Sequence, residues 1–170
     1  MSTRVVTARV AGALYLIVFV AGTLALITRN SLANLIAGGC YIAVTLLFYY
    51  IFKPVNRALS LIAALVSLAG IVLGVISTLD LLPFRINPLV LFGVYCLLIG
   101  YLVYRSTFLP RFLGVLMMFG GLGWLTFISP QLASSLSPYN FVPGMIGEGT
   151  LTLWLLIMGV NVGQRNEQAK

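Results

Sequence analysis

Only three of the 170 residues are acidic. One of them, Glu148, stands inside the apolar stretch FVPGMIGEGTLTLWLLIMGVN at positions 141–161. An ionisable side chain within a membrane-length run costs ~3 kcal/mol on insertion scales and marks a functional candidate. Read as a helix, the segment puts Thr152, Leu155 and Gly159 on the face of Glu148, at i+4, i+7 and i+11. Gly144, Gly147 and Gly149 leave room beside the carboxyl for a neighbouring helix, water or a ligand. Further polar groups fall in the same half of the apolar runs. Asn34, Gly38, Tyr41 and Thr45 recur at steps of four, three and four, on one helical face. Asp80 and Arg85 lie in a connection at the same end. The candidate ligand-binding set is therefore Glu148, Asn34, Tyr41, Thr152, Asp80 and Arg85. Around Glu148 it could hold a proton or a small hydrophobic, cationic or hydroxylated ligand. The bland alternative is that Glu148 hydrogen-bonds Asn34, Tyr41 or Arg85 and fastens its helix to the others, a contact worth about 1 kcal/mol. Asp80 at a helix end could simply pair with Arg85.

Other chemistries are set aside by the residues available. There is no histidine, so a serine–histidine site and histidine ligation of haem are excluded. Cys40 and Cys96 lie singly in apolar runs, without zinc spacing, and read as small free thiols. No phosphate-cradling glycine motif is present, and FGGLGW at 119–124 reads as helix packing. Paired-carboxylate hydrolysis needs two acids a few ångströms apart, and Glu148 and Asp80 differ in depth. No metal and no cofactor is expected.

The elements that must position these residues follow from composition. The chain is 61% hydrophobic and 8% charged, against about a quarter charged in soluble domains. Only a bilayer accepts that much apolar surface. The net charge of +7 is spread singly between apolar runs, with no stripe to track phosphates, so no nucleic-acid partner is expected. A bilayer core of ~30 Å needs about 17–25 apolar residues per helix. Six runs qualify: 10–27, 31–52, 58–79, 88–104, 111–128 and 141–162. The first follows Arg4 and Arg9 as a signal peptide would, but a second span begins at once, so it reads as a retained helix. Asn87 before Pro88 reads as an N-cap with proline at the first helical position.

The expected fold is an all-α integral membrane bundle of six transmembrane helices, one domain over residues 1–170. With the N-terminus inside, the inner segments hold Arg4, Arg9, Lys53, Arg57, Arg105, Arg111, Arg165 and Lys170, and the outer ones only Arg29 and Arg85. That bias puts both termini in the cytoplasm. Tyr49, Tyr50, Tyr101 and Tyr104 then form an inner aromatic belt, and Trp124 and Tyr139 an outer one. RVAG, RALS and RFLG open spans one, three and five, a weak trace of three repeated hairpins. Small residues at helical spacing mark packing seams: Ala63, Ser67, Gly70 and Gly74; Gly93, Cys96 and Gly100; Gly114, Gly120, Gly121 and Gly123. Gly74 is expected to face a neighbouring helix closely. Such faces also admit a homo-oligomer.

Three blocks resemble a known family: RVAGALYLIVFVAG at 9–22, LLIGYLVYRSTFLPRFLGVLMMFGGLGWL at 97–125, and IGEGTLTLWLLIMGVN at 146–161. They are similar to the bacterial membrane proteins grouped as domain of unknown function 4386. The resemblance implies several membrane helices, with Glu148 at the family's glutamate and Pro110 and Arg111 at its turn. It implies no substrate and no reaction. The expected function is a multi-pass protein of the bacterial cytoplasmic membrane that binds or moves a small molecule or proton through a pocket around Glu148. Two alternatives stand beside it. One is an enzyme on a lipid-soluble substrate with Glu148 as general acid, and the other a non-catalytic accessory subunit of a membrane complex.

Overall fold

The computed structural model describes residues 3–28, 30–78 and 87–168. Asp80, Arg85 and Arg29 lie outside them. Among the described residues eight α-helices follow in chain order: α1 (Thr3–Thr28), α2 (Ser31–Phe52), α3 (Arg57–Thr78), α4 (Pro88–Arg105), α5 (Arg111–Leu125), α6 (Pro130–Leu136), α7 (Val142–Ile157) and α8 (Val162–Gln168). Short 3-10 turns extend α5 to Ile128 and precede α7 at Tyr139–Phe141. No strand occurs among the described residues. α1 to α5 are each long and apolar enough to cross a membrane. The segment from Tyr139 to Ile157 and α8 add a sixth crossing when counted as one broken span, bent by 108°.

Caps set the starts of two spans. The side chain of Asn30 accepts from the amides of Leu32 and Ala33, at 2.9 and 3.1 Å. Asn87 accepts from Leu89 N at 3.0 Å, with Pro88 in the first turn, as its position suggests. The six long helices form a closed ring. α1 packs on α2, α2 on α3, α3 on α4, α4 on α5, α5 on α7, and α7 returns to α1. Their inward faces supply one core, with Tyr15, Phe48, Tyr95, Leu113, Met117 and Leu151 fully buried within it.

The sixth span departs from its expected limits. α7 ends at Ile157, not at 162. Gly159 has φ 71°, in the left-handed region that glycine enters without steric cost, and its amide reaches back to the Trp154 carbonyl at 3.1 Å. The Asn161 amide then bonds the Phe108 carbonyl at 3.3 Å, and α8 folds across the end of the bundle. Arg165 fixes it there. Its Nε donates to Ile51 O at 3.2 Å and its Nη2 to Tyr50 O at 2.6 Å. A buried guanidinium thus caps the C-terminus of α2, where the helix dipole favours positive charge. Gln168 closes the same end by donating to Arg105 O at 3.2 Å and accepting from Thr107 N at 3.0 Å. Arg9, Lys53, Arg57, Arg105, Arg111 and Arg165 stand at these helix ends, which together make the basic end of the bundle. Tyr50, Tyr101 and Tyr104 are exposed near it.

Two packing expectations are corrected. Trp124 is not a belt residue: it is buried, with Phe92, Phe127 and Phe141 around its indole. Nor is Gly74 in a tight seam. A methyl there would meet only Pro88, at 3.8 Å, an ordinary contact. The tight seam lies between α4 and α5, where a methyl on Gly100 would come 2.8 Å from Gly114 O and one on Gly121 2.8 Å from Gly93 O. The connection before α7, residues 129–140, carries no charged side chain and holds α6.

Candidate functional site

Glu148 sits in the second turn of α7, 3% exposed. Glycines bring its partners into reach. A methyl on Gly144 would strike the Trp124 indole at 2.6 Å, and one on Gly147 would strike the Leu116 carbonyl of α5. On the other flank, a methyl on Gly12 would lie 2.7 Å from Leu156 N, so α1 also meets α7 backbone to backbone. Those approaches let one side chain from each neighbour reach the carboxyl. Trp124 Nε1 donates to Oε1 at 2.5 Å, and the Tyr15 hydroxyl donates to Oε2 at 3.0 Å. Indole N–H is a donor only, so this carboxyl oxygen must accept. Glu148 therefore ties α7 to α1 and α5 at once. Arg9, two turns before Tyr15, donates to Ile157 O at 3.2 Å and caps the far end of α7.

Tyr15 is not among the residues singled out from the sequence, and Trp124 was read there only as a belt residue. A signal for Tyr15 was present. Ala8, Ala11, Gly12 and Tyr15 share one face at helical spacing, three small residues ahead of a tyrosine, and Ala8, Ala11 and Tyr15 are fully buried. Trp124 carried one too, because a buried indole N–H seeks an acceptor and this chain has few acidic ones.

The other candidates divide. Thr152 lies one turn from Glu148, buried, with its hydroxyl unpartnered. Asn34 and Tyr41 line a cleft of about 250 Å³ between α2, α3 and α4, bounded also by Ser67, Gly70, Gly74 and Phe92. Glu148 does not line it. The Tyr41 ring bridges the two places, 6.2 Å from the Tyr15 ring and 5.7 Å from that of Tyr95. Asp80 and Arg85 fall outside the described residues, so their place relative to the cleft is not part of this geometry. Cys96 is buried and Cys40 half-buried, and both are free thiols. Among the described residues no group of side chains could hold a metal ion.

A family model, Domain of unknown function (DUF4386), matches residues 84–159. An uncharacterized protein of Archaeoglobus fulgidus is 30% identical over 134 residues, covering 69% of this chain and 76% of its own length. The chain belongs to the DUF4386 family. No solved structure matches it. The DUF4386 match begins just before α4 and ends at the Gly159 break, so it contains the tight α4–α5 seam, Trp124 and Glu148. Tyr15, Asn34 and Tyr41 come from helices ahead of it. The Archaeoglobus relative is archaeal, which extends the bacterial distribution implied by the motifs.

Proposed function

We propose that this DUF4386 protein is a multi-pass membrane protein that binds a small lipid-soluble molecule in the cleft between α2, α3 and α4. The observation that carries the reading is the cleft itself, about 250 Å³ of space between α2, α3 and α4. Small-molecule sites are mostly apolar concavities with a few polar groups that fix orientation. Val18, Ile71, Leu89 and Phe92 against Asn34, Tyr41 and Ser67 have that character. In this reading Glu148 is a positioning residue. It holds Tyr15, and the Tyr15 ring backs Tyr41.

The basic end faces the cytoplasm, by the eight-to-two distribution of Lys and Arg. The cleft then opens in the outer half of the cell membrane. A reporter active only in the periplasm, fused after Lys170, should stay dark, and a bright signal reverses the orientation. Binding is tested in nanodiscs with a diazirine-bearing octanol, its adducts mapped by mass spectrometry. Adducts should concentrate on the cleft-lining residues of α2, α3 and α4. Gly38→Leu should remove them, because Gly38 lines the cleft and a methyl added there meets no atom within 4 Å, leaving space for a larger side chain. Adducts spread evenly over lipid-facing residues would reject the binding reading.

A further inference from the structure

A larger cleft, of about 450 Å³, lies at the basic end of the bundle, between the α4–α5 turn at 107–110, the end of α7 and the start of α8. It shares no lining residue with the cleft between α2, α3 and α4. The break in the sixth span shapes it. Gly159 turns the chain and the Asn161 amide bonds Phe108 O, so α7 stops beside the turn. The walls are of two kinds. Thr107, Asn161 and Gln164 are polar and exposed. Asn161 Oδ1 accepts from the Gln164 amide at 3.3 Å, which leaves its Nδ2 as a donor. Trp154 and Met158 form an apolar wall, with Met158 exposed. The Trp154 ring stands edge-on to that of Phe112, 5.9 Å away, and Phe112 is exposed as well. A tryptophan in this place, apolar body outward near a span end, suits a membrane interface. The charge beside the cleft has one sign. Arg111 follows Pro110 of the lining, is exposed, and holds its guanidinium 5.9 Å from the centre of the Tyr104 ring. Arg105, two residues before Thr107, is exposed too. Of the three acidic residues, Glu148 is buried against Trp124 and Tyr15, and Asp80 falls between α3 and α4 in the sequence, which leaves Glu167 of α8.

From this we infer that the cleft at the basic end seats the headgroup of an anionic phospholipid. The inference rests on the membrane-spanning fold and is independent of ligand binding between α2, α3 and α4. The phosphate oxygens accept from the side-chain amides of Asn161 and Gln164, and Arg111 supplies the countercharge. The acyl chains run outward along Trp154 and Phe112 into the lipid. Basic pockets between membrane helices are a recurrent way to hold anionic headgroups. A choline headgroup brings a fixed positive charge against Arg105 and Arg111. A soluble anion gains nothing from the wall of Trp154 and Met158. At ~30 Å³ per water-sized group, the cleft has room for about fifteen, enough for the phosphate, its alcohol and the glycerol backbone.

The test uses the full chain in nanodiscs of phosphatidylcholine and phosphatidylglycerol in equal parts. A trace of either lipid carries a diazirine at the start of one acyl chain, and the adducts are mapped by mass spectrometry. Adducts on other lipid-facing residues serve as the reference. On residues 107–112 and 154–164 the phosphatidylglycerol probe should label about five times more than the phosphatidylcholine probe. Arg111→Gln and Gln164→Leu, both at exposed positions, should each bring that ratio toward one, with size-exclusion chromatography confirming that the protein stays folded. Arg57→Gln should leave it unchanged, because Arg57 is an exposed basic-end residue on α3, which lines no part of this cleft. Inorganic phosphate should lower the labelling no more than sodium chloride of equal ionic strength. Equal labelling by the two probes, or no adduct in the cleft from either, would overturn the proposal. So would a loss with Arg57→Gln as large as with Arg111→Gln, which would mean diffuse surface charge and no site. Specific displacement by inorganic phosphate would make the occupant a soluble anion and contradict the lipid assignment.

Discussion

The two sides of the ring are built differently. On the α4–α5–α7 side, glycines let backbones touch, and a methyl on Gly114 would come 2.6 Å from Tyr104 N. On the α2–α3 side, methyls on Gly38 and Gly74 meet nothing tight, and the cleft lies between the helices. Both sides carry small residues at helical spacing, so the difference is one of use. In a membrane, helices associate through close packing and polar contacts, since lipid tails are as apolar as leucine. The α4–α5–α7 side uses its glycines for that purpose, and Trp124 and Glu148 add a polar tie across it. The α2–α3 side leaves the space beside Gly38 open and keeps Asn34, Tyr41 and Ser67 along the cleft. One side is scaffold, and the other has the features of a site.

That comparison breaks most readily at Gly114. Gly114→Leu puts a side chain into the α4 backbone, and overpacking of this severity costs about 3 kcal/mol or more. Little folded protein should be recovered in detergent, as read by size-exclusion chromatography. A well-behaved Gly114→Leu protein would mean that α4 and α5 are not in backbone contact. The next largest effect belongs to Glu148→Leu. It strands the Trp124 N–H and the Tyr15 hydroxyl, at about 1–3 kcal/mol for each stranded donor, and should lower the melting temperature clearly. Glu148→Gln keeps an acceptor oxygen for Trp124 and an amide that Tyr15 can meet as acceptor, so its loss should stay near or below about 1 kcal/mol.

Arg165→Gln ranks below these. The guanidinium caps α2 with two hydrogen bonds, and charge-assisted contacts at a helix end contribute up to ~2 kcal/mol. The expected change is local. Hydrogen exchange should accelerate across 162–168 while the core of the ring stays protected. Uniform acceleration would show that α8 supports the whole bundle. The smallest effect is expected for Gly74→Leu, within about 0.5 kcal/mol, by contrast with Gly114→Leu. A large loss at Gly74 would erase the difference between the two sides.

Much of the scaffold was legible in the sequence, because apolar runs of bilayer length are set by one solvent and one helix rise. The limits of α2 are those read from the apolar run, and Asn87 and Pro88 marked the start of α4 by cap chemistry. The end of α7 was not legible. Hydropathy runs on through Gly159 to Val162, and a left-handed glycine leaves no trace in it. Arg165 was readable only as a charge for topology, since nothing local says that its guanidinium reaches two carbonyls more than a hundred residues away. Glu148 stood out by the cost of its burial. Its partners did not, because apolar helices of similar composition carry little information on which faces meet. A tryptophan near a span end is by composition a belt residue, and only the Gly144 contact turns Trp124 inward. Asn34 and Tyr41 shared a face by spacing, and the structure places both on the cleft. Tyr95 was missed, as one aromatic in an apolar helix shows no sign of the Tyr41 ring it meets.

The most direct measurement of the division between scaffold and site is diazirine-octanol labelling set beside the melting temperature for two variants. Gly38→Leu should lose the cleft adducts at unchanged melting temperature, because Gly38 lines the cleft and a methyl added there meets no atom within 4 Å. Glu148→Gln should keep the adducts while melting slightly lower, because the carboxyl ties helices and does not line the cleft. If Glu148→Gln instead loses the adducts at an unchanged melting temperature, Glu148 belongs to the ligand site and its assignment to the scaffold is contradicted.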